Sequence, residues 1–290
     1  MIKYIKRKNL NVDKYDACIA NSIQSRIYAF SWYLDIVADN WDVLVLNDYE
    51  AVMPIPWKQK YFIKYIAQPY FCQQLGVFSI DKLSKETQLE IVKNIPNKFL
   101  KINLNFNADN FFIPKMESRI NYVLQLSDSY QNLFKGFSKG RKHAVKVGEK
   151  KHLTLKTISI LELIEIKEKF YAHENFPKLI IENLANDLLK NKKGFIVGVF
   201  KDENLLGGGF FLNSKNRIIY LFSSFNNEGR KHQAASFLIG NIIKQYENSN
   251  FILDFEGGSL PNIGSFFKSF GSKPTYYYNY TSNAIKNFFI

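Results

Sequence analysis

Residues 217–280 read RIIYLFSSFNNEGRKHQAASFLIGNIIKQYENSNFILDFEGGSLPNIGSFFKSFGSKPTYYYNY. The order is strand, polar loop, helix, strand, glycine-rich bend, short helix, strand. Arg217–Ser224 is β-branched and aromatic, as a strand requires. Ala234–Tyr246 carries apolar residues at helical spacing. Phe251–Phe255 reads as the next strand, Ile263–Phe270 as a short helix, and Thr275–Thr281 as a last aromatic strand. Between the first strand and the first helix lies Phe225–Gln233, a loop without apolar periodicity. A helix N-terminus offers unpaired backbone N–H groups and the positive end of the macrodipole. Gly229 permits a close turn, and Arg230 and Lys231 add positive charge. Such a loop suits a pyrophosphate.

Upstream of this stretch, Phe195–Phe200 and Leu205–Leu212 are strands joined by the turn Lys201-Asp202-Glu203-Asn204. The same sequence device occurs early in the chain, where Asp42–Leu46 turns through Asn47-Asp48-Tyr49-Glu50 into Ala51–Ile55. The echo predicts a tandem duplication, with one domain over 1–128 and a second over 129–290. Helices are expected at Arg26–Val37, Lys85–Asn94, Tyr130–Lys150 (interrupted by Gly136 and Gly140) and Leu161–Ala172. Further strands are expected at Tyr61–Ala67, Leu100–Phe106, Tyr122–Leu126 and His152–Ile158. The fold class is α+β, each domain a mixed, mostly antiparallel sheet flanked by helices.

Length and composition agree. A chain of 290 residues exceeds one ordinary core. Hydrophobic residues make up 46% and aromatics 16%, enough for a large buried interior. Two cysteines, Cys18 and Cys72, exclude a disulfide framework. The four histidines (His143, His152, His173 and His232) stand singly, so no metal site is expected. No secretory leader and no apolar run of membrane-spanning length is apparent, and the expectation is a cytoplasmic protein. The net charge of +13 favours an anionic partner: a nucleotide cofactor, tRNA or a membrane surface. Only six of the 39 basic residues are arginine. Lys135–Lys151 concentrates basic residues, and Arg141 stands out there because arginine forks well onto phosphate or carboxylate.

The second half resembles a domain of the GNAT (GCN5-related N-acetyltransferase) superfamily. That family marks its coenzyme A loop with Arg or Gln, two residues, Gly, one residue, then Gly or Ala. Arg230-Lys231-His232-Gln233-Ala234-Ala235 matches at the Arg and the final Ala, and Gln233 replaces the central Gly. The likeness is better to the two-domain FemAB-like and BioF2-like acyltransferases. Phe134–Lys146 is similar to the basic helix that opens their second domain. Leu253-Asp254-Phe255-Glu256-Gly257-Gly258 is similar to their strand-end turn. Phe266-Phe267-Lys268-Ser269-Phe270-Gly271 is similar to the Lys-x-x-Phe-Gly helix before their last strand.

This resemblance implies tandem acyl-CoA N-acyltransferase domains in which donor and amine meet in a cleft. Acyl-CoA, acetyl or longer, is the implied co-substrate, held by Ser223, Ser224, Gly229, Arg230, Lys231, Gln233, Ala234 and Ala235. A splayed strand at Leu221–Ser224 is implied to give a backbone N–H to the acyl oxygen. The base is expected at Glu256 or Asp254, and a tyrosine acid on the last strand, with Tyr277 foremost. Tyr70, Gln73 and Gln74, with Arg141, Lys142 and Lys268, are expected to contact the acceptor. Direct attack by the amine fits the lack of a Cys–His or Ser–His motif. Two alternatives stay open: aminoacyl transfer from tRNA to a cell-wall precursor, and a non-catalytic binding protein.

Overall fold

The computed structural model describes residues 1–110, 116–170 and 176–283. Its contacts divide the chain into two compact units, Met1–Arg119 with Tyr276–Ile290, and Ile120–Thr275.

The first unit contains β1 (Ile2–Lys6), α1 (Val12–Asn21), α2 (Ser31–Val37), β2 (Asn40–Leu46), β3 (Ala51–Lys60), β4 (Ile63–Ala67), β5 (Phe78–Ser79), α3 (Lys85–Lys93) and β6 (Phe99–Phe106). The middle of the chain supplies β7 (Glu117–Gln125), α4 (Tyr130–Lys135), α5 (Lys139–Lys150), β8 (Thr154–Thr157), α6 (Ile160–Phe170), α7 (Lys178–Lys190), β9 (Gly194–Lys201), β10 (Asn204–Ser214), β11 (Arg217–Phe225), α8 (Asn227–Lys231), α9 (Ala234–Gln245), β12 (Ile252–Gly258) and α10 (Pro261–Lys268). The last strand is β13 (Lys273–Asn283).

The sheet of the first unit runs β1-β2-β3-β4-β6-β13, with β5 beside β3. That of the second runs β8-β9-β10-β11-β12-β7. Strand directions match position by position. Three antiparallel steps lead to one parallel step, β4 to β6 and β11 to β12, followed by one antiparallel step. The hairpins that echo in the sequence, β2–β3 and β9–β10, hold the same place in both sheets. The duplication is therefore one of topology, and the fold is a tandem of two units with the same strand order.

The units nonetheless do not fall on either side of residue 128. β7 pairs with β12, Leu124 opposite Leu253, and so goes with the second unit. β13 pairs with β6, Tyr280 opposite Leu104, and so goes with the first. Long-range register decides both assignments.

Each core sits between its sheet and helices. In the second unit Leu238, Ile239 and Ile242 of α9 pack with Phe211, Leu253 and Phe255 of the sheet. The first unit buries Tyr15 and Ile19 of α1 and Tyr33 and Leu34 of α2 with Val43, Val45 and Phe106.

Several elements depart from their sequence expectation. Within Arg26–Val37 the α-helix begins at Ser31, because Phe30 is extended (φ −63°, ψ 146°) and Asp16 accepts from the Ser31 N–H and hydroxyl at 2.8 and 2.6 Å. Tyr130–Lys150 is two helices: the chain breaks at Gly136, and the Ser138 side chain caps α5 by accepting from the Arg141 N–H at 3.2 Å. The loop after β11 contains the helical turn α8. Sequence periodicity did not single out β1, α1 or α7. The end of the helix expected to reach Ala172, and His173, lie outside the described residues.

Candidate functional site

β11 and β12 run parallel and pair only at Arg217–Ile252, Ile218–Leu253 and Ile219–Asp254. Beyond these three pairs the strands part. The other edge of β11 stays zipped to β10 as far as Gly207–Phe225, with a bulge opposite Phe210 and Phe211. Residues 222–224 thus keep their ladder to β10, and none of residues 221–224 is in register with β12. Ser223 is half-buried. Ser224 is 2% exposed, and its hydroxyl has no hydrogen-bond partner. Gly207 lies at φ +139°, and a Cβ there would stand 2.3 Å from the Ser224 carbonyl oxygen. The sequence reading passed over this glycine, although three consecutive glycines in a strand mark close backbone approach.

Along the chain, β11 leads directly into α8 and α9. The Asn226 side chain accepts from the Gly229 N–H at 2.8 Å, which starts α8. Gly229 is buried, and a Cβ there would meet the Leu206 carbonyl oxygen at 2.4 Å. Gln233 joins the helices in the left-handed region, at φ 59° and ψ 32°. This is the position where the coenzyme A motif places Gly, and the backbone shows why: glycine adopts that conformation freely. The Gln233 amide donates back to the Arg230 carbonyl at 3.3 Å. No side chain caps the N-terminus of α9. Of the basic residues here, Arg230 is exposed, whereas Lys231 and His232 share Glu228 at 3.5 and 3.2 Å.

Arg141 of α5 reaches the same end of α9. Its guanidinium donates to the Ser236 hydroxyl and, at 2.8 Å, to the Ser269 hydroxyl. It stacks over the rings of Phe266 and Phe270, 4.1 and 4.7 Å from their centroids. Ser236 in turn faces the Gln233 amide oxygen at 3.5 Å. Among the described residues no carboxylate lies within ion-pair distance of Arg141, and desolvation lowers its pKa to about 10. A partly buried cation without a counter-ion, beside an uncapped helix N-terminus, is an arrangement that favours an anion. The neighbouring Lys142 is turned away, donating to the Lys135 carbonyl at 2.8 Å. Lys268 is exposed at the end of α10. Ser236, Ser269 and the two phenylalanines were not legible as partners of Arg141, because they come from two other helices.

The carboxylates at the end of β12 have distinct surroundings. Asp254 is 3% exposed and fully engaged. It forms an ion pair with Arg217 at 2.7 Å and accepts from the Asn121 amide at 2.8 Å and the Glu256 N–H at 3.0 Å. Asn121 also accepts from the Gly257 N–H at 2.8 Å. These bonds shape the bend, and they argue against Asp254 as a base. Glu256 sits on that bend at φ 53°, half-buried. Positive φ in a non-glycine residue is strained and clusters at functional positions. Tyr277 is buried on β13 and belongs to the first unit.

In the first unit the parallel pair β4–β6 also ends early, and there the loop Gln68–Gly76 occupies the opening. Gln68 accepts from the Asn105 N–H at 2.9 Å and donates to the Cys72 carbonyl; Asn105 donates to the Gln73 carbonyl at 3.0 Å; Leu75 donates to the Asn105 carbonyl at 2.8 Å. Gln73 and Gln74 are consequently buried and bonded to each other at 2.7 Å, while Tyr70 is 50% exposed. Both cysteines are buried, and desolvation pushes the Cys18 thiol up to about 11.

No protein-family model matches the chain, and no curated protein matches it. Solved structures do. A crystal structure of FemX superposes with a TM-score of 0.70 at 12% identity, covering 99% of each chain. The structure of L-PGS from Bacillus licheniformis gives 0.56 at 10% identity, over 93% of this chain and 91% of that one. A tandem GNAT protein from the clavulanic acid biosynthesis pathway gives 0.52 at 9% identity, over 98% and 99%. At these identities the likeness is one of fold, and the chain has the two-domain GNAT-like, FemAB-type fold.

Proposed function

We propose that this chain transfers an acyl group from a phosphorylated donor to an amine, with the second unit binding the donor. The observation that carries the reading is the early parting of β11 and β12, followed along the chain by the uncapped N-terminus of α9 with Arg141 against it. The edge that β12 leaves beside Ser223 and Ser224 offers a backbone N–H to a developing oxyanion. The α9 terminus, Arg141 and Arg230 offer positive charge to the donor's phosphates. The acceptor nitrogen attacks the acyl carbon and a C–N bond forms. The bond from that carbon to the donor's sulfur or oxygen breaks, and the leaving group takes a proton. Glu256 is assigned as the base that removes the amine proton. Asp254 is assigned to positioning Glu256, and Tyr277 receives no role.

An acyl-CoA is the preferred donor, supported by the run Arg230–Ala235 and its motif-like backbone. A second reading, aminoacyl-tRNA as donor and the amine of a cell-wall precursor as acceptor, is favoured by α5. That helix exposes Lys139, Lys146 and Lys150, more cationic surface than one pyrophosphate requires.

Thermal melting with coenzyme A, acyl-CoAs and charged tRNA discriminates the donors. A shift with coenzyme A that disappears in Arg141→Ala supports the first reading, and a shift with tRNA alone supports the second. Mass spectrometry of amine acceptors incubated with the stabilising donor then detects the acylated product. No shift with any donor overturns the transferase assignment.

A further inference from the structure

The hairpin between β3 and β4 has a composition unusual for a turn. Its sequence is Lys58-Gln59-Lys60-Tyr61-Phe62-Ile63-Lys64, and Lys60 pairs with Ile63, so Tyr61 and Phe62 alone make the turn. Two-residue hairpins favour Asn-Gly and Asp-Gly, because the turn requires positive φ. Here Tyr61 takes φ 53°. Tyr61 is 82% exposed, Phe62 99% and Ile63 47%. Three consecutive large apolar residues thus stand largely in water at the turn.

The surroundings carry one sign of charge. No Asp or Glu occurs from Ala51 through Ile80, nor from Ile91 through Ala108 in the neighbouring β6 region. Lys60, Lys64 and Lys101 flank the tip, and among the described residues none of them has a carboxylate within ion-pair distance. Lys58 is paired with Asp39 at 3.1 Å. Beside the tip a hollow of about 630 Å³ is walled by Ile63, Tyr65, Ala67 and Leu100, with Lys60 and Lys101 at its rim.

Aromatic residues at a projecting turn, ringed by lysines whose stems reach along apolar surface, match the cross-section of a lipid monolayer. The rings suit the boundary of headgroups and acyl chains, and the ammonium groups suit anionic headgroups. We infer that the β3–β4 hairpin docks this protein onto anionic lipid bilayers by inserting Tyr61, Phe62 and Ile63. The inference rests on the first unit alone and stands whether or not the second is a transferase.

Co-sedimentation of the full chain with vesicles tests it. One set contains phosphatidylcholine only, the other an equimolar mixture with phosphatidylglycerol. The expected result is binding to the mixed vesicles that weakens with salt. The double variant Tyr61→Ser/Phe62→Ser should lower the partition coefficient roughly tenfold or more, the loss expected for one or two unburied aromatic rings. Lys60→Gln and Lys64→Gln should each lower it about fivefold. Phe62→Trp should retain binding, and brominated lipid should quench the added indole. Equal binding by the double variant, with an unchanged melting temperature, would overturn the inference and assign any binding to the general charge of +13. Absence of binding to mixed vesicles at low salt, or a double variant that only abolishes self-association, would also overturn it.

Discussion

Two residues set the chemistry of the α9 terminus, and each implies a measurement. Gln233 holds a left-handed conformation that costs a side-chain-bearing residue roughly 1–2 kcal/mol relative to the right-handed region. Gln233→Gly should therefore raise the melting temperature by about 2–4 °C, since only two weak side-chain bonds are lost, to the Arg230 carbonyl at 3.3 Å and from the Ser236 hydroxyl at 3.5 Å. A lower melting temperature would show that the Gln233 side chain contributes more than these bonds imply. Arg141 has hydroxyls and ring faces around it and, among the described residues, no carboxylate within ion-pair distance. Its Ala variant should weaken binding of a phosphorylated donor by about tenfold or more, with the loss largest at low salt. Because a guanidinium keeps its proton across neutral and mildly alkaline pH, this contribution to donor affinity should persist through that range. Isothermal titration of wild type and variant across pH separates this from an overall loss of fold.

At the scale of elements, the decisive feature is how long two parallel strands stay together. β11 and β12 share three pairs, and the bend that carries β12 away is fastened by Asn121, Arg217 and Asp254. Asp254→Asn leaves the Arg217 guanidinium without its buried partner and should destabilise the protein by about 3 kcal/mol, read by denaturant unfolding. Glu256→Gln lies on the same bend and should leave stability almost unchanged, while lowering the transfer rate by a factor of about 100 or more. Equal stability losses for the two variants would merge their roles and remove the case for Glu256 as base.

The strand–loop–helix–strand order of this region was legible from the sequence, because apolar periodicity and glycine placement are local signals. The fastening was not. Asn121 lies 133 residues from Asp254, and nothing in an isolated Asn reveals a partner so distant. The loop Gln68–Gly76 misled for a related reason. Its polar side chains look available in the sequence, yet they satisfy the unpaired backbone of the opening between β4 and β6, as buried polar groups must. Short elements such as β1 and the uneven entry to α2 depend on distant partners like Asp16 and so escaped a periodicity argument.

For the molecule as a whole, the repeat is visible in the two hairpins but the assignment of the closing strands is not. A sequence echo suggests two consecutive halves. The register places β13 beside β6 in the first sheet and β7 in the second. A chain ending at Thr275 should accordingly leave β6 with a bare edge and aggregate or become protease-sensitive in the first unit, as unpaired edges do. Limited proteolysis with mass mapping would locate the damage. Cleavage confined to the second unit would contradict the pairing.

That closing strand also sets a schedule for biosynthesis. A ribosome releases the first six strands of the leading sheet long before their seventh is translated. The leading sheet must therefore wait, its β6 flank unsealed, until β13 emerges, whereas the trailing sheet has all its strands in hand earlier. Maturation in this protein should finish in the leading sheet, with β13 the last strand to dock.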